Sequence, residues 1–387
     1  MEKEGNARYG QIRSIMFFFL VVLVLAIFKI AQSILLPLVV AVFLFVLVNP
    51  ILSHMDRLKV PNVLSIIAVM AIVLTVFLLA AYLVFQMVNM VALGLPRYAQ
   101  RLAELDRLLS VYAARFFDVK NPESYSFLAS LNIDWIGIAT SYLASFSTKF
   151  ISILSDVMMV LIYLLFLLLE RKSFSPKLQQ TFPSEKAQRI STMLLRVNRQ
   201  VSKYVFLKLV ISLISGVMFY LVALFTGLDF ALVWGVLAVV LNFIPTIGSI
   251  VVTGGTIIMA IIQFLPQWGT VIFIAFLMIM VEMIMGNIID PKLQGVQLNI
   301  SPIVILISLA LWGYIWGILG MFLAVPLTSI IQIICANIPS VKFIAVFLST
   351  GKFHEVKDEK ARRAKRKGGK GESFDVEMPQ GSNPSDS

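Results

Sequence analysis

Residues 63–85 read VLSIIAVMAIVLTVFLLAAYLVF, 23 positions without a charge. A helix that crosses a bilayer needs roughly 20 apolar residues, so this stretch is a membrane span. Working outward, similar runs recur at 15–28, 33–48, 150–169, 205–225, 231–262, 270–284 and 303–336. Eight hydrophobic segments make this chain an all-α, polytopic integral membrane protein in contact with the lipid bilayer. The composition agrees: 59% of the 387 residues are hydrophobic and 14% are charged, whereas soluble domains carry about 25% charged residues.

Basic residues are grouped, and in membrane proteins such grouping reports topology. They lie at Lys3, Arg8 and Arg13, at Arg57 and Lys59, and in a series from Arg171 and Lys172 through Lys177, Lys186, Arg189, Arg196 and Arg199 to Lys203. Placing all of them in the cytoplasm puts both termini inside, makes the first two spans a hairpin turning near Lys29 and Gln32, and leaves 91–149 outside. The net charge of +11 is thereby a topological signal, and no nucleic-acid partner is expected. The domains expected are a three-span membrane segment (1–90), an extracytoplasmic helical segment (91–149), a fourth span (150–170), a cytoplasmic basic amphipathic helix (171–204), a C-terminal membrane core (205–350) and a tail (351–387). The tail carries nine Lys and Arg between 352 and 370 and few apolar residues, the composition of a disordered, lipid-touching segment.

Two soluble stretches have helical periodicity. Tyr98, Leu102, Leu105, Leu109, Tyr112 and Phe116 are spaced 4-3-4-3-4, which sets all six on one face; that face packs on its own ectodomain or on another subunit. Ala187, Ile190, Leu194, Val197, Val201 and Tyr204 repeat at 3-4-3-4-3 with basic residues on other faces, the pattern of an amphipathic helix lying on the inner leaflet.

The second half holds broken helices. The run from 229 to 264 is interrupted at Asn242-Phe-Ile-Pro-Thr-Ile-Gly248, leaving arms of about 15 residues, about 22 Å, short of a ~30 Å hydrocarbon core. Pro245 removes a donor and Gly248 permits a sharp turn, freeing carbonyls near Asn242. Such backbone is tolerated at membrane depth only when buried in protein or lining a wet cavity. Gly313-Tyr-Ile-Trp-Gly317 interrupts a second segment. Both interruptions, near 242–248 and 313–317, make broken or re-entrant hairpins, a feature of transporter binding sites, or alternatively tight glycine packing.

Polar residues inside the apolar runs are the candidates for function. Glu282 lies in Phe276-Leu-Met-Ile-Met-Val-Glu-Met-Ile-Met285, far from other charges; an intramembrane carboxylate costs roughly 3 kcal/mol and must face a cavity, a partner or a transported ion. Asn287 and Asp290 follow, and Asp290-Pro291 ends the helix, so Asp290 serves either as an interface cap or as a binding group. Asp156, beside Ser152 and Ser155, lines a pathway; Asp229 caps the next helix. Cys335 stands alone and the only histidines are His54 and His354, so no CxxC site, histidine metal site or Ser-His-Asp triad is expected. HExxH, GxSxG and a pair of intramembrane aspartates are missing too, so the chain is not expected to be an enzyme or to use a cofactor.

Four motifs in order, Asn242–Gly248, Asn287-Ile-Ile-Asp-Pro-Lys-Leu-Gln-Gly295, Ser301-Pro302 and Gly317-Ile-Leu-Gly-Met-Phe-Leu-Ala-Val-Pro326, resemble the autoinducer-2 exporter family of bacterial permeases. The likeness spans roughly residues 10 to 350. It implies a homo-oligomeric secondary transporter of the bacterial inner membrane that exports a small polar metabolite or quorum-sensing signal, or alternatively exchanges sodium for protons. The transport-pathway residues expected are Glu282, Asn242, Pro245, Gly248, Asn287, Asp290 and Asp156. Energy would come from a gradient, since no GxxxxGK[ST] phosphate loop is present.

Overall fold

The computed structural model describes residues 15–16, 19–117, 135–290, 292 and 299–350. Expectations for the basic N-terminus and for the tail 351–387 lie outside these residues, as do those for the side chains of Leu109, Tyr112 and Phe116. The described chain is helical: α1 (Phe19–Ile30), α2 (Gln32–Arg57), α3 (Asn62–Phe117), α4 (Trp135–Thr181), α5 (Ser184–Thr226), α6 (Ala231–Leu241), α7 (Ile247–Phe264), α8 (Trp268–Met283), α9 (Pro302–Asn337) and α10 (Lys342–Leu348). Among the described residues seven helices are long and apolar enough to cross a membrane, with α8 and its continuation to Ile289 counted as one. Among the described residues the one β-contact is an isolated bridge between Ile300 and Ser349.

Length is what departs most from the sequence reading. α3 has 56 residues, α4 47 and α5 43, so α3 is about 84 Å long at 1.5 Å per residue. Helix therefore runs without a break through the domain boundaries expected at 90/91, 149/150, 170/171 and 204/205. One correction follows for 184–204: it is the first half of the helix that continues to Thr226, and a helix without a kink cannot lie flat on a leaflet while its other half crosses. Twelve of the 21 residues of 184–204 are Arg, Leu, Lys, Gln, Ala, Glu or Met, which favour helix continuation.

A second correction concerns the first two spans. Only Ala31 (φ −89°, ψ 21°) separates α1 from α2, and i→i+4 hydrogen bonds run from Ala31 N–H to Ile27 O and from Leu35 N–H to Ala31 O. The chain bends there; it does not reverse. Reversal in so short a space needs a left-handed residue, as at Gly317 (φ 64°) in α9.

The core has two main parts. Ala41, Leu52, Val69 and Leu164 are fully buried where α2, α3 and α4 meet. Phe219, Ala223, Ala260, Ile274 and Met278 are buried where α5 packs on α6, α7 and α8. α5 and α6 approach closely because a Cβ on Gly216 would lie 2.7 Å from Gly235 O, and one on Gly235 would lie 3.0 Å from Gly216 O.

Both interrupted segments are antiparallel helical hairpins. In the first, α6 turns into α7 through 242–246; Trp234 lies on Gly255 and Leu241 on Gly248, a register in which residue numbers sum to a constant. Its two feet are tied by Gln263, which accepts from Asp229 N–H (2.8 Å) and donates to Gly227 O (2.8 Å). In the second, α9 reverses at Trp316–Gly317, Gly320 lies on Trp312, and Thr328 Oγ1 donates to Ser308 Oγ at 2.8 Å. Its feet are tied where Gln332 donates to Asn299 O (2.9 Å) and Arg189 to Asn337 O (3.1 Å).

These ties fix the orientation of each hairpin along α5. The first hairpin hangs from the C-terminal end of α5, the second stands at its N-terminal end beside Arg189. The latter is the basic end, where Arg171 pairs with Asp56 at 2.8 Å and Lys172 with the same carboxylate at 3.7 Å. The two hairpins thus enter from opposite ends and meet in the middle: Ile244 is buried against Leu309, Trp312 and Trp316, and Phe243 stacks on Phe322 with centroids 4.2 Å apart. α1 covers the second tip, where Trp316 Nε1 donates to Phe28 O at 3.1 Å and Lys29 Nζ to Tyr314 O at 2.6 Å.

Candidate functional site

A cavity of about 670 Å³ opens beside the tip of the first hairpin. Its walls are the tip itself (Asn242, Ile244, Pro245, Thr246), one face of α7 (Ser249, Ile250, Thr253, Gly254, Ile257), the end of α8 (Ile279, Glu282, Met283) with its continuation (Gly286, Asn287, Asp290), and Lys208 of α5.

The tip is built by the sequence as expected, with one addition. Pro245 lacks an N–H; Ile247 N–H reaches back to Pro245 O (2.7 Å) and Gly248 N–H to Ile244 O (3.0 Å). Thr246 takes φ 66°, a conformation β-branched residues rarely adopt, so the tip is held strained by its surroundings. Asn242 anchors it: its Nδ2 donates to the fully buried Ser212 Oγ of α5 at 3.2 Å. Ser212 lies 14 residues before Thr226, so the tip sits about 21 Å from the end of α5 at which the hairpin is rooted.

The opposite wall owes its shape to a π-helical segment, Ile284–Ile289. An α-helix turns about 100° per residue, which would carry residue i+8 about 80° away from residue i. The wider i→i+5 turn rotates less per residue and keeps Glu282, Gly286 and Asp290 on one wall. Gly286 leaves room there: a Cβ would lie 3.3 Å from Glu282 Oε1. Glu282 is half-buried and has no cation or hydrogen-bond donor on it among the described residues.

Lys208 was not anticipated. It is buried, its side chain 4% exposed, and its Nζ lies 3.1 Å from Asp290 Oδ2, on a carboxylate 25% exposed. The signal was available, since Lys208 is the only charge in the run 205–225. A lysine there must be paired, because the charge is taken out of water. Thr253 also lines the cavity, and its buried hydroxyl has no hydrogen-bond partner among the described residues.

Of the seven expected pathway residues, Asn242, Pro245, Glu282, Asn287 and Asp290 line this cavity. Gly248 does not line it; it is buried behind the tip, where its missing Cβ would sit 1.8 Å from Leu241 O. Asp156 is elsewhere, exposed on α4 within the span Ser152–Phe174. The sequence pairs it with the other acids only by being intramembrane, and nothing in periodicity tells which face of α4 turns inward. Asp229 also departs from expectation. It caps nothing: its carboxylate accepts from Tyr98 OH and pairs with Arg97 at 3.3 Å, joining α3 to the root of the first hairpin. Among the described residues no group of three or more His, Cys, Asp or Glu could hold a metal ion.

The site can hold a small polar molecule among amide, hydroxyl and charged groups, at the depth where two oppositely rooted hairpins meet. Comparison with known proteins agrees with this architecture. The AI-2 transport protein TqsA of Escherichia coli is 31% identical over 334 residues, covering 85% of this chain and 93% of its own. A Borreliella burgdorferi protein is 30% identical over 353 residues, covering 90% and 95%. The sodium-lithium/proton antiporter of Halobacillus andaensis is 22% identical over 184 residues, 47% of this chain and 51% of its own. The AI-2E family transporter profile matches residues 17–340, and the chain belongs to this family of membrane transporters.

Proposed function

We propose that this protein is a secondary exporter of a small polar metabolite or signalling molecule of the autoinducer-2 type, working in a bacterial inner membrane. The observation that carries the reading is the cavity beside the 242–246 tip, which gathers Lys208, Glu282, Asp290, Asn242 and Asn287 at membrane depth. Intramembrane charges facing a common cavity mark a solute or ion path. The name of the Escherichia coli relative supports a quorum-sensing signal as solute.

In this reading the two hairpin tips are the moving parts and the buried Lys208–Asp290 pair is a fixed wall. The basic end, with Arg171, Lys172 and Arg189, faces the cytoplasm and carries the C-terminus. A homo-oligomer is also part of the proposal: Asp156 is a carboxylate exposed on a span, and a second copy would keep it from lipid.

The test is efflux of labelled autoinducer-2 from proteoliposomes, with and without an imposed pH gradient, for wild type and Glu282→Gln. Saturable efflux that the substitution abolishes supports the exporter. A second reading, monovalent cation/proton antiport, is favoured by Glu282 alone, a half-buried carboxylate without a cation on it among the described residues. It predicts no efflux, and instead sodium-dependent collapse of the pH gradient.

A further inference from the structure

The cavity has a definite charge. Among the described residues its titratable lining consists of Lys208 on α5, Glu282 on α8 and Asp290 beyond the π-helical segment. Lys292 is exposed and is not part of the lining. Lys208 is held by Asp290 at 3.1 Å, so this pair cancels internally and Glu282 leaves the cavity with one net negative charge. Around it stand neutral groups that accept and donate hydrogen bonds: Asn287, Ser249 and Thr246.

We propose that Lys208 sets the charge selectivity of the cavity: paired with Asp290 it leaves a single carboxylate facing the solute, so the site takes neutral hydroxylated or singly cationic molecules and rejects carboxylates and phosphates. The proposal rests on the reading of this cavity as the transport path. Two features support it over a purely structural role for the lysine. Lys208 is on the cavity wall, not in the packed interface of α5 with α6, where the close contacts are made by Gly216 and Gly235. And its partner Asp290 is a quarter exposed, so the pair borders the space a solute would fill. A like charge brought against an uncompensated carboxylate in such a site is strongly disfavoured.

The experiment uses the full-length protein in proteoliposomes and three labelled probes of one shape: xylitol (neutral), 1-amino-1-deoxyxylitol (cationic) and xylonate (anionic). Initial uptake is corrected for protein-free vesicles, and each variant's folding is verified by its melting curve. Wild type is expected to take up the neutral and cationic probes and to favour the amine over the acid by at least about tenfold. Asp290→Asn takes the carboxylate from the Lys208 ammonium, raises the cavity by one unit of charge and should reduce that preference at least about tenfold. Lys208→Gln combined with Asp290→Asn keeps the net charge of wild type and should restore its preference, which a lysine needed only for folding would not do. An unchanged preference in Asp290→Asn, or a double variant that selects like Asp290→Asn, overturns the proposal while the transport reading stands. Wild type that takes up none of the three probes overturns both.

Discussion

A single methyl group at Gly248 should pry open the tip of the first hairpin. A Cβ built there lies 1.8 Å from Leu241 O and 2.5 Å from its carbonyl carbon. Ordinary contact begins at 3.4 Å, so about 1.6 Å of backbone displacement is required (3.4 − 1.8). Both sides of the clash are main chain, and no rotamer change relieves it. Overpacking of this kind costs about 1–3 kcal/mol or more, and loss of the Ile244–Gly248 hydrogen bond adds about 0.5–1.5 kcal/mol. Alanine's better helix propensity returns up to about 1 kcal/mol. The net loss of about 2–3 kcal/mol should lower the melting temperature of this 387-residue chain by about 2–4 °C. Tryptophan fluorescence of purified protein in detergent, followed through a thermal ramp, measures this. Gly269→Ala is the control, since nothing lies within 4 Å of a Cβ there, and it should melt like wild type. Gly248→Ala melting within 1 °C of that control would refute the argument that the tip closes on bare backbone.

Three other perturbations test separate contacts. Lys208→Met removes the ammonium paired with the partly buried Asp290 carboxylate and should cost up to about 3–5 kcal/mol, with much of it recovered in Lys208→Met/Asp290→Leu; chemical or thermal unfolding of the two variants side by side decides. Asp229→Asn removes the pair with Arg97 and weakens the Tyr98 contact; protease cleavage near the root of the first hairpin should become faster, while unaltered cleavage would mean α3 does not hold that root. Trp316→Phe keeps the aromatic packing on Phe28 and Trp312 but loses the hydrogen bond to Phe28 O. Its expected cost is about 1 kcal/mol, read as a small drop in melting temperature without change in fold by circular dichroism.

Much of this molecule is legible in its sequence because lipid imposes few options. Any long uncharged run such as 63–85 must be helix, and the sequences 242–248 and 313–317 mark the two breaks. What was not legible has a common cause: periodicity says which residues share a face but not where a helix stops. Pro96 and Pro176 lie inside α3 and α4, where a sequence reading would stop a helix, and the basic face of 184–204 looks complete in itself while being half of α5. Lys208 stands out as the only charge in 205–225, but its partner does not: Asp290 is 82 residues away, and no local pattern joins them. The π-helical turn at 284–289, which aligns Glu282 with Asp290, has no proline or glycine run to announce it.

The opposed rooting of the two hairpins has a consequence for how the chain is made. Each hairpin returns to the end it left, so neither transfers the chain across the bilayer, although each contains enough apolar sequence to engage an insertion machine as a span. Neither tip is stable alone in lipid, since 242–246 and 316–317 lack complete helical hydrogen bonding. Among the described residues the Asn242 side chain is met by Ser212 of α5, already synthesised, and the second tip by Phe28 and Lys29 of α1. Biogenesis is thus ordered by sequence position: α1 and α5 wait in the membrane as receptors, and each hairpin folds onto a surface made before it.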